Sequence, residues 1–194
     1  MTTTISVTNN SMQIPMGGDA PPLVSVTING QVVPAHGITL NATTFRLIVF
    51  NPNSPPNDPS TFLFNKQVND VANGAATGNW TSTYRSLYDY AENLIYSYSD
   101  PSNLFFLFAT NGFDKGMVPP PSFVQLLFSC GAGAQLQNWL AQLPGQTNQS
   151  LWVTSPANYI FIGSSGTPMG SPILEKYEVA ASGGVFSTTA QCSF

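Results

Sequence analysis

Two short stretches admit no solvent-facing side. Residues 45–50 read FRLIVF and residues 104–109 read LFFLFA. A strand with one wet face alternates polar with apolar residues, whereas a strand covered on both faces reads as a continuous apolar run. Both stretches are therefore expected to be buried central strands. A chain with two such strands must supply cover for both faces of the sheet that holds them. Residues 23–28 carry the other pattern, with Leu, Ser and Thr alternating against Val, Val and Ile, as in a half-buried strand.

Turn chemistry divides the rest. Asn29-Gly30 separates residues 23–28 from Gln31, Val32 and Val33. Both turn residues tolerate positive φ, so a tight type I′ hairpin is expected. Residues 51–60, NPNSPPNDPS, hold four prolines and form neither helix nor central strand. Strand character returns at 61–68, and again at 151–153, 159–162 and 174–179.

Helical periodicity is clearest over residues 80–98. Trp80, Tyr84, Leu87, Tyr88, Ala91, Leu94, Ile95 and Tyr98 make one stripe at a period of 3.6 residues. A second helix, around residues 123–128, follows Pro119, Pro120 and Pro121, since proline suits a first turn. It stops at Gly131–Gly133. A third carries Leu136, Trp139, Leu140 and Leu143 and ends at Pro144-Gly145. The fold class is α+β, with a mixed or largely antiparallel sheet system. Residues 1–22 read as a polar N-terminal arm whose residues 3–8 form an edge strand. Residues 23–194 read as a single domain.

Charge narrows the function. Only 7% of the 194 residues are charged and the net charge is −4, against about 25% charged residues in an ordinary domain. No basic patch exists to neutralise phosphates, which excludes a nucleic-acid binder of that kind. No run of eighteen apolar residues is present, so no membrane-spanning helix is expected. The N-terminus lacks the basic and apolar regions of a secretory signal. An extracellular or virion-associated placement would need another route of release. The surface left to this chain is neutral: Asn, Ser, Thr, Gln and Gly.

Catalytic chemistry is sparse. His36, in PAHGIT, is the single histidine, and no Gly-x-Ser-x-Gly elbow accompanies it. Asp89 and Glu92 lie three apart at the edge of the apolar stripe of the long helix. Glu175 and Glu178 fall on opposite faces of a regular strand. Asp114 sits in a Gly-containing loop, where turn-stabilising Asx chemistry competes with ligand binding. No phosphate loop, dinucleotide fingerprint or metal-ligand spacing appears, so no catalytic residue, metal or cofactor is expected. Cys130 and Cys192 are either two buried thiols, the commoner arrangement, or one disulfide.

Five segments in order, VSVTINGQVV, HGI with FRLIVFN, LFFLFATNG, LLFSCGA and NYIFIGSSG, resemble the GG domain of the interleukin-like EMT inducer and PANDER proteins. The resemblance covers about residues 23 to 180. It implies a compact sandwich of two mostly antiparallel sheets flanked by short helices, without catalytic activity. One relative, a stem domain of a glycosyltransferase, binds sugar chains. By that resemblance His36 stands at a ligand-contacting place before Gly37-Ile38, and Asn111, with Asp114 nearby, at another; a third place, residues 156–158, holds no basic residue here. The expected function is non-catalytic, lectin-like recognition of a glycan or a protein surface. The alternative is a structural or delivered component of a larger assembly such as a virion, tail or toxin complex.

Overall fold

A computed structural model describes residues 3–11, 24–33, 43–52, 62–69, 104–111, 119–142, 157–179 and 186–193, with six helical residues between 89 and 97. Among the described residues, nine strands form two antiparallel sheets. The first runs β3 (Gln31–Val32), β2 (Val24–Ile28), β1 (Thr4–Ser11), β9 (Phe186–Ser193). The second runs β5 (Phe62–Asn69), β4 (Thr43–Phe50), β6 (Phe105–Asn111), β7 (Ala157–Ser164), β8 (Leu174–Val179). The sheets pack face to face. Helices α1 (Pro121–Ser129) and α2 (Ala134–Gln142) cover the other face of the second sheet.

This layering accounts for the two kinds of strand in the sequence. The middle of the five-stranded sheet lies between two covers. Leu47, Val49, Phe106, Phe108, Tyr159 and Phe161 face the helices. Ile48, Phe50, Leu107, Ala109, Ile160 and Ile162 face the first sheet. In β1 and β2, by contrast, Ile5, Val7, Val24, Val26 and Ile28 are buried, and the residues between them face outward.

The hairpin at Asn29-Gly30 forms as the sequence dictates, with φ of 51° and 78°. Asn29 also ties the hairpin to β1, because its Oδ1 accepts the Thr4 N–H at 2.8 Å. Within residues 80–98, the expected helical stripe is met where it is described: Ile95 is buried, while Asn93, Tyr96 and Ser97 are exposed. The remaining stripe residues lie outside the described residues, as does the expected strand at 151–153.

Helix α1 begins at Pro121 and ends in a Schellman arrangement. The Ala132 N–H donates to the Leu127 carbonyl at 3.0 Å and the Gly131 N–H to the Phe128 carbonyl at 3.1 Å, with Gly131 at φ 102°. The chain then passes so close to β7 that a Cβ on Gly163 would run into the Cys130 carbonyl. That contact is productive, since the Ser164 N–H donates to the Cys130 carbonyl at 3.2 Å.

One expectation changes and one open alternative is decided. Residues 3–8 were expected at a sheet edge, yet β1 is interior, flanked by β2 and β9. The strand beyond it, β9, carries no continuous apolar run and has no signature of its own in the sequence. Thr4–Ser11 is accordingly built into the sandwich. The cysteines are both free thiols, Cys130 buried under the helices and Cys192 against the inter-sheet core. Burial pushes the Cys130 thiol up to about 11, so it is inert as a nucleophile at neutral pH.

Candidate functional site

Among the described residues, two clusters of hydrogen-bonded polar side chains lie one on each side of the five-stranded sheet. Strand alternation separates them. Glu175 and Tyr177 of β8 face the helices, and Lys176 and Glu178 face β9, which bears out the opposite-face reading of the two glutamates.

On the helix side, α2 begins at Ala134, directly after Gly133, which has no side chain to cap it. Glu175 performs that role from another strand. Its carboxylate accepts the Gly133 N–H at 3.0 and 3.1 Å and the Leu136 N–H at 2.9 Å. A negative group over free N–H donors at a helix start is favoured by both hydrogen bonding and the helix dipole. Tyr159 donates its hydroxyl to the same carboxylate at 3.0 Å. Burial and the neighbouring Glu175 charge hold the Tyr159 hydroxyl well above its ordinary value of 10.0, so it stays a donor. Its ring stacks on Trp139 with centroids 5.2 Å apart.

On the sheet side, a polar seam joins the two sheets. The Asn9 Nδ2 of β1 donates to the Thr110 carbonyl of β6 at 2.6 Å. The Asn158 Nδ2 of β7 donates to the Asn9 carbonyl at 3.0 Å and to the Thr188 Oγ1 of β9 at 3.1 Å. The Thr188 hydroxyl donates to the Glu178 carboxylate at 2.5 Å. Lys176 closes the edge, 3.0 Å from Glu178 and donating to the Thr189 carbonyl at 3.3 Å. The hydrogen bond from Thr188 holds the Glu178 carboxyl below its ordinary 4.5; partial burial opposes this and Lys176 assists it. Elsewhere in the inter-sheet core, Arg46 is buried and donates to the Val33 carbonyl at 2.9 Å. Burial lowers its pKa to about 10, which leaves it charged at neutral pH.

Of the three residues singled out by the sequence, Asn111 is the last residue of β6 and pairs with Asn158, beside the seam. His36 and Asp114 lie outside the described residues. Asp89 and Glu92 occupy half-buried positions on helical backbone. Among the described residues, no group of three His, Cys, Asp or Glu side chains is placed to hold a metal ion, and no helix is long and apolar enough to cross a membrane. No family model matches the chain, and no curated protein matches it.

Sequence reasoning passed over Asn9, Arg46, Asn158 and Thr188. Arg46 left a legible signal, since it is the one charged residue inside an apolar run. Asn9, Asn158 and Thr188 left none. Each stands in a neighbourhood rich in Asn, Ser and Thr, and only the docking of the sheets makes them interior.

Proposed function

We propose that the chain is a non-catalytic, lectin-like recognition domain of the GG-domain type that binds a neutral, hydroxyl-rich ligand such as a glycan. One observation carries the reading. Arg46, Glu175, Lys176 and Glu178 are each engaged by other groups of the fold, Arg46 as a buried donor, Glu175 as a cap, and Lys176 and Glu178 as a half-exposed clasp. What the described surface of the first sheet presents is uncharged. The outward positions of β1, β2 and β9 are Thr4, Ser6, Thr8, Ser25, Thr27, Ser187, Thr189, Gln191 and Ser193. Such a surface recognises through hydroxyl and amide hydrogen bonds, which suit sugars and do not suit phosphates or charged peptides.

The ligand contacts in this reading are His36 and the segment from Asn111 to Asp114. Asn111 ends a strand fixed on both sides, so the segment after it leaves from a rigid base. The test is a glycan array read at low and high salt, followed by His36→Ala and Asp114→Ala. Binding of the best glycan should be insensitive to salt and lost in each variant, with circular dichroism unchanged. Full affinity in both variants would remove this site, and an array without hits would remove the glycan.

A further inference from the structure

The seam between the sheets contains two acceptors with no donor. Asn9 and Asn158 are fully buried, and the Oδ1 of each has no hydrogen-bond partner. Neither amide can be turned over to cure this. The Asn9 Nδ2 faces the Thr110 carbonyl and the Asn158 Nδ2 faces the Asn9 carbonyl. A flip would set oxygen against oxygen in both cases. Thr188 cannot help, since its hydroxyl proton goes to Glu178 while its oxygen accepts from Asn158. A buried amide oxygen without a donor is costly, and native interiors meet that need with protein groups or with an internal water.

We propose that the seam is a binding site for one buried water molecule, which donates one hydrogen bond to Asn9 Oδ1 and one to Asn158 Oδ1. The chemistry required of the guest is narrow: small, and able to donate twice. Water meets it. An alkali cation would also be drawn to amide oxygens, but the carboxylate linked to the seam, Glu178, is already held by Thr188 and Lys176, so no negative charge remains to offset a cation's desolvation. Direct hydrogen bonds already run from Glu178 through Thr188, Asn158 and Asn9 to the Thr110 carbonyl and hold the end of β6 and the start of β7 to β1 and β9. The water would add a second link between the two amides. This site stands apart from the ligand reading above and does not rest on it.

The wild-type protein tests it directly. In uniformly 15N-labelled chain at acid pH, where amide hydrogen exchange is slow, water-selective NOE spectra should show cross-peaks from water to the side-chain amides of both Asn9 and Asn158. Their sign should be that of a water residing longer than the molecule tumbles. Melting should not respond selectively to sodium, potassium or ammonium at constant ionic strength. Missing cross-peaks at either amide would overturn the shared site. A saturable rise in melting temperature with one cation would overturn water as the guest.

Discussion

The two faces of the five-stranded sheet are built from the same strands, yet their cores differ in kind. On the helix side Phe106, Phe108, Tyr159 and Phe161 of the sheet meet Phe123 of α1 and Trp139 of α2. Against the first sheet lie mainly Val, Ile, Leu and Ala, with Phe50 as the fully buried ring. In β6 and β7 the change runs residue by residue: Phe106, Leu107, Phe108, Ala109, then Tyr159, Ile160, Phe161, Ile162. Side chains alternate in size rather than in polarity. Trp139 and Tyr159 stack, and the other rings meet edge-on or tilted, as Phe108 does with Phe123 at 5.7 Å and with Tyr159 at 5.9 Å. Such pairs add about 0.5–1.5 kcal/mol each beyond the area they bury. Two pleated sheets mesh instead through branched aliphatic side chains, and the polar seam sets how they meet. One face gains its order from ring geometry, the other from hydrogen bonds.

Adjacent residues of β7 give the sharpest test of that contrast. Phe161→Ala should cost about 3–5 kcal/mol in denaturant unfolding, and Ile162→Ala, on the other face, about 2–5 kcal/mol. A larger loss at Ile162 than at Phe161 would show that the ring-rich face is not the more sensitive of the two to truncation. Next in size is Gly30→Val, on the first sheet and away from both cores. Nothing lies within 4 Å of a Cβ built there, so its cost is backbone strain at positive φ alone, about 1–3 kcal/mol. An unchanged melting temperature would show that the turn relaxes freely.

A smaller effect separates ring geometry from plain burial. A double-mutant cycle between Trp139 and Tyr159, each changed to Leu, should return a coupling of about 0.5–1.5 kcal/mol. Additive losses would reduce the stack to area alone. The smallest effect belongs to the clasp at the edge of the seam. Because the Glu178 carboxyl titrates below its ordinary 4.5 in the fold, its contribution is present above that value. It is lost as the pH falls through the lowered value. Its side chain is 36% exposed, so screening keeps the effect below about 1 kcal/mol. Glu178→Gln should therefore flatten the acid limb of the stability profile, and an unaltered limb would remove the clasp from the account.

Legibility followed the range of the interactions. The two-sided strands, the hairpin at Asn29-Gly30 and a helix behind the proline run at 119–121 were all readable, because each depends on period or dihedral preference within a few residues; α1 takes in Pro121 as its first residue. The position of β1 was misjudged. An alternating strand looks the same at an edge as beside two neighbours. The candidate site was less legible still. Asn111 can be placed at the end of a central strand, but nothing near it in the sequence announces that it pairs with Asn158 or that Asn9 bonds Thr110 beside it.

The sequence by itself determined most of the strands and helices, though not β9, and with them which strands must be covered on both faces and where the hairpin at Asn29-Gly30 turns. These follow from side-chain periodicity and from the φ preferences of Gly, Asn and Pro. Only the tertiary structure decided that the first and last strands pair, that Glu175 caps α2 from 39 residues beyond Leu136, and that Asn158 reaches Asn9 across 149 residues. The physical reason is that a hydrogen-bonding side chain specifies the kind of partner it needs and not the partner's address. The address is supplied when the apolar faces dock.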